Sequence, residues 1–105
     1  MSGYDPKVLG YLGRALSLEL SAVQLYTTQA RLLANWGLEE PARKLQAEAA
    51  EEMQHVERLI ARMLAVGAVP NASQLRPVQL GADLESLLKI NLDFEQELVK
   101  LYRDA

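Results

Sequence analysis

The sequence predicts an all-α fold, a helical bundle, and three observations predict it. Leu, Ala, Glu and Gln are abundant, β-branched residues are few, and there is little alternation of apolar with polar side chains. No proline interrupts the chain between Pro6 and Pro41, nor between Pro41 and Pro70, so two long segments can run as continuous helix. In both segments apolar residues recur at steps of four and three, the spacing that keeps one face of a helix apolar.

The elements follow in order. Asp5 and Pro6 read as the N-cap and first-turn proline of helix one. Gly37, just after Trp36, reads as its stop. Glu39, Glu40 and Pro41 begin helix two with acidic side chains near the positive end of the helix dipole, and that helix is expected to reach about Gly67. Pro70, Asn71, Ser73, Pro77 and Gly81 mark an irregular loop, after which Asp83 caps helix three. Helices one and two, about 30 and about 27 residues long, would each extend roughly 40–45 Å. The short turn between them makes them antiparallel. The 105 residues are expected to form a single domain.

Composition removes several classes of function. A net charge of −3 with no basic cluster argues against nucleic acid and anionic membrane surfaces as partners. The absence of cysteine excludes disulfide scaffolds, thiolate zinc sites, iron–sulfur clusters and thiol nucleophiles. With one histidine, His55, no metal site can take two imidazoles from a single copy. Met1 to Asp5 lacks the basic-then-apolar pattern of a signal peptide, and no apolar run approaches the roughly 20 residues of a membrane span. The expectation is a soluble, cytoplasmic protein.

Two carboxylates break the apolar pattern. The stripe on helix one is Leu12, Leu16, Glu19, Val23, Tyr26, Ala30 and Leu33; on helix two it is Leu45, Ala49, Glu52, Val56, Leu59, Met63 and Val66. Each seam holds one glutamate, and a buried carboxylate must be paired, protonated or metal-bound. Arg14, Arg31, Arg43, Arg58 and Arg62 offer no partner on the same stripe one turn away. His55 lies three residues after Glu52, so imidazole and carboxylate project from one helix face. Glu-x-x-His is the motif that two helices of the di-iron carboxylate bundles carry, the other two each adding a glutamate. Iron suits this mixture of oxygen and imidazole ligands.

At this point the sequence resembles the bacterioferritin family along almost its whole length. The resemblance is carried by Glu19 with Tyr26 one heptad later, Asn35-Trp36-Gly37-Leu38, Glu51-Glu52-Met53-Gln54-His55, and Gly67 to Asn71 with Pro70. It implies a ferritin-like four-helix bundle that oxidises Fe(II) at a di-iron centre and stores iron within a shell. It further implies that Glu19, Glu52, His55 and Glu95 are metal ligands, with Tyr26 a hydrogen-bonding neighbour. Met53 matches the methionine that ligates haem b, one from each of two subunits. One residue past Glu52, it is turned about 100° away from the site, towards another chain. The sequence stops at Ala105, before the family's fourth helix and its second Glu-x-x-His.

Two-fold symmetry would complete the site. A homodimer supplies Glu19, Glu52 and His55 twice, which meets the demand for four carboxylates and two histidines and covers the apolar seams. In that arrangement Glu95 is redundant, and helix three caps the bundle or mediates a higher homo-oligomer. If helix three packs as in bacterioferritin, Glu95 is a ligand and one helix remains to be supplied. The leading function is ferroxidase, with Glu19, Glu52 and His55 carrying the chemistry and O2 or peroxide accepting electrons. A non-enzymatic haem-bridged dimer using Met53 is the alternative. A metal-free module, its glutamates paired with a partner's arginines, is the third reading.

Overall fold

The computed structural model describes residues 5–72 and 74–104, so the loop marker Ser73, the segment 1–4 and Ala105 lie outside the described residues. Asp5 accepts a hydrogen bond from Lys7 N at 2.8 Å with Pro6 in the first turn, and α1 runs from Pro6–Asn35. It ends as the sequence expects: Gly37 takes φ +81°, a backbone region that side chains with a Cβ avoid. Leu38 N then donates to Leu33 O at 2.9 Å, closing the last turn on itself. α2, Glu39–Ala65, has no side-chain cap, but Glu39 and Glu40 stand in its first turn. It closes in the same way as α1, with Gly67 at φ +81° and Ala68 N donating to Met63 O at 2.8 Å. α3, Leu84–Arg103, begins with a reciprocal cap in which Ser86 N donates to Asp83 Oδ1 (2.8 Å) and Asp83 N to Ser86 Oγ (3.2 Å).

The three helices form a rod of 54 × 21 × 20 Å. α1 and α2 pair along their length with the expected seams inward: Leu16, Tyr26, Leu33 and Val56 are each at most 2% exposed. α3 lies beside α1, and among the described residues its backbone does not approach α2. Tyr26 bonds to Glu95 and Tyr102 to Glu19, so rising numbers on α1 meet falling numbers on α3 and the two run antiparallel. Leu87, Phe94 and Leu98 of α3 join the core cluster of Leu18, Ala22, Leu25 and Tyr26. Phe94 meets Tyr26 edge-to-face at 6.4 Å.

The loop between α2 and α3 is strapped across α1. Gln74 N donates to Ser17 Oγ at 3.3 Å and Arg76 N to Ser21 Oγ at 2.9 Å, which explains why two serines are buried on an otherwise apolar face. The Arg76 guanidinium then grips both oxygens of Glu97 on α3. α3 otherwise depends on few large side chains. Phe94→Ala is therefore expected to cost about 3–5 kcal/mol of stability and to raise amide exchange throughout α3 before α1 or α2, as read by hydrogen exchange.

Candidate metal centre

The two carboxylates that interrupt the seams meet in the middle of the α1–α2 pair. Glu19 is 1% exposed and Glu52 half-buried, and one oxygen of each lies within 4.8 Å of the other and of a His55 nitrogen. His55 Nδ1 stands 3.2 Å from Glu19 Oε2 and 3.6 Å from Glu52 Oε2. The geometry follows from local structure: Glu52 and His55 share a face because they are three residues apart on α2, and α1 presents Glu19 opposite them.

Among the described residues, Glu19 Oε1 and Glu52 Oε2 are buried with no hydrogen-bond partner. Such orphaned carboxylate oxygens are costly unless a proton or a cation satisfies them. Burial, and then the neighbouring Glu19 carboxylate, push Glu52 up to about 9, with Glu95 and Glu51 adding to the effect. Glu48 is also raised, through burial and the charges of Glu95 and Glu51. The donor set is anionic and oxygen-rich, with Glu19 buried, Glu52 and the one imidazole partly so, and it fits a divalent transition metal.

The remaining expected residues fall at different distances. Glu95 is outside the three-residue cluster and lies on the exposed side of α3, where it accepts a hydrogen bond from Tyr26 Oη at 2.9 Å. Tyr26 is fully buried, and burial together with this bond raises its phenol well above the usual range, so it remains a donor. Met53 is 40% exposed and lines a groove of about 570 Å³ between α1 and α2, with Val23, Thr27, Arg31 and Ala50.

One hydrogen-bond partner of the cluster lies outside the residues the sequence singles out. Tyr102, in the last turn of α3, donates its phenol hydrogen to Glu19 Oε2. A signal for it exists: Glu95 and Tyr102 are seven residues apart, as are Glu19 and Tyr26. Antiparallel helices carrying the same spacing bring each tyrosine opposite the other helix's glutamate. Gln29 and Asn91, buried with unpartnered amides among the described residues, were also not foreseen, and no feature of the pattern marks them.

This bundle, with a carboxylate–histidine cluster in its seam, defines a class. Residues 9–105 match the ferritin-like domain, and the chain belongs to that family. Its relatives include bacterioferritin from Rhodobacter capsulatus, 39% identical over 101 residues, covering 96% of this chain and 63% of that protein. Another is a bacterial ferritin from Synechocystis sp., 32% identical over 100 residues, covering 95% and 64%. A 2.6 Å structure of R. capsulatus bacterioferritin, with a metal-free dinuclear site and haem iron in a crystallographic special position, superposes with a TM-score of 0.92. It is 38% identical and covers 96% of this chain and 63% of that one. The chain thus spans about 63% of the length of these relatives. Among the described residues no helix is long and apolar enough to cross a membrane.

Proposed function

We propose that this chain is one ferritin-like domain, residues 1–105, that binds Fe(II) as substrate and oxidises it at a dinuclear carboxylate centre, serving iron storage in the cytoplasm. The observation that carries the reading is the convergence of Glu19, Glu52 and His55 within 4.8 Å, two of their carboxylate oxygens lacking a hydrogen-bond partner among the described residues. Family membership supports it, since the R. capsulatus relative has a dinuclear site. Two Fe(II) ions bound together can each give one electron to O2 or peroxide, and no protein nucleophile is required. The protein's part is to neutralise and orient. Glu19 and Glu52 supply negative charge, His55 supplies nitrogen, and Tyr26 holds Glu95 at the edge of the site so that it can serve as a further ligand.

With α3 beside α1, one chain offers three glutamates and one histidine. A second imidazole and a fourth carboxylate are needed for a complete dinuclear set. We propose a homo-oligomer, with a homodimer contributing to that completion. The test is metal analysis of purified protein together with Fe(II) oxidation followed optically. Two Fe(II) oxidised per centre support the reading, whereas protein that retains no metal and does not oxidise Fe(II) defeats it.

A second reading has its own observation. Met53, partly exposed in the α1–α2 groove, would ligate haem b between two copies of the chain, in a dimer with no oxidase activity. A haem absorption band lost in Met53→Leu, in protein that does not oxidise Fe(II), selects it.

A further inference from the structure

We propose that Tyr102 is a positioning residue of the metal centre, holding Glu19 in its ligating orientation from α3; the inference rests on the dinuclear reading above. Glu19 Oε2 receives the Tyr102 hydroxyl and stands 3.2 Å from His55 Nδ1, which leaves Oε1 buried and unpartnered among the described residues. A carboxylate with one oxygen tethered has a defined direction for the other. Tyr102 itself is fixed by edge-to-face packing on Tyr11, with ring centres 6.4 Å apart. It also borders the cleft lined by Glu19, His55, Arg58, Leu59 and Arg62, so the tether stands at the edge of the site.

The arrangement is reciprocal. Tyr26 of α1 holds Glu95 of α3, and Tyr102 of α3 holds Glu19 of α1. Each glutamate precedes the tyrosine of its own helix by seven residues, so one antiparallel register forms both bonds together. Docking of α3 and orientation of the α1 ligand are thereby a single event. An outer hydrogen-bond donor of this kind sets ligand direction and strengthens metal binding, and its loss typically weakens affinity about 10–100-fold.

The experiment titrates Co(II) into the full chain as wild type, Tyr102→Phe and Tyr11→Phe, reading both affinity and the visible absorption bands of bound Co(II). Tyr102→Phe keeps the ring on Tyr11 and removes only the hydroxyl. It is expected to weaken Co(II) binding by about 10–100-fold and to shift the bands, while Tyr11→Phe stays within about twofold of wild type. A loss below about fivefold in Tyr102→Phe, or an equal loss in Tyr11→Phe, overturns the inference while leaving the metal reading intact. Wild-type protein that takes up no Co(II) overturns both.

Discussion

Replacing Glu52 or His55 with alanine is expected to abolish tight metal binding, lowering affinity by more than about 100-fold and removing Fe(II) oxidation. The size follows from their position. Residues that merely support a ligand are worth about 10–100-fold, and these two would touch the metal themselves. His55 is also the chain's single imidazole, so no neighbour can replace it. Isothermal titration with Co(II), alongside Fe(II) oxidation rates, measures both effects. Glu95→Ala then separates two ways of completing the site. If two copies of the α1–α2 pair face each other symmetrically, Glu95 is dispensable. With α3 beside α1 and Tyr26 bonded to Glu95, its loss is expected to be nearly as damaging as that of Glu52.

The second large effect is on the metal-free protein. In chelator, Glu52→Gln is expected to be more stable than wild type at neutral pH, and the gap is expected to widen as pH rises. Burial and the adjacent Glu19 hold Glu52 at about 9, far above its ordinary 4.5. A folded-state value above the unfolded one means that the folded state holds the proton more tightly. Its stabilising contribution is complete below about 4.5 and is lost as pH climbs through about 9. One such proton changes stability by up to about 1.4 kcal/mol per pH unit, or about 2–3 kcal/mol between about pH 6 and about pH 8. Glutamine, which does not titrate, escapes that loss. Thermal unfolding of both proteins across this range checks it, and parallel pH profiles would refute it.

Adding metal reverses the relation. A divalent cation replaces the proton on Glu52, so wild-type affinity is expected to rise by up to about tenfold per pH unit below about 9. At a metal concentration of about 100 Kd the folded protein gains about 2.7 kcal/mol, a rise in Tm on the order of 10 °C for a chain of this size. On the proposed reading, the carboxylates that oppose the apo fold are those that would hold the metal, a trade-off common at functional sites. Their burdens differ. Seam geometry alone puts Glu19 under the same strain as Glu52 and leads one to expect that Glu19→Gln stabilises the apo protein. In the structure Glu19 has Tyr102 and His55 beside one oxygen, so the stabilising substitution moves to Glu52.

The helices, and the inner faces of the first two, follow from local chemistry alone. Proline spacing, the glycines at 37 and 67, and the Asp5 and Asp83 caps act within a few residues of themselves, and each works here as its local chemistry dictates. The isolated carboxylates in the two seams and the Glu52–His55 spacing were legible for the same reason, because a helix converts spacing of three and four directly into a shared face. α3 is different, since it carries two apolar stripes. Leu87, Phe94 and Leu98 are buried, whereas Leu88, Leu92 and Val99 are exposed, with Glu95 and Tyr102 beside them in the same register. Periodicity does not rank one stripe above the other. The tertiary structure chose by seating Phe94 on Tyr26 and strapping the loop through Ser17, Ser21 and Arg76. That choice brings Glu95 to Tyr26 and Tyr102 to Glu19. Both pairings depend on how one helix is rotated and slid against another. Many weak contacts set that register across a gap of about 70–80 residues of chain; the matching seven-residue Glu–Tyr spacings are compatible with it but do not select it.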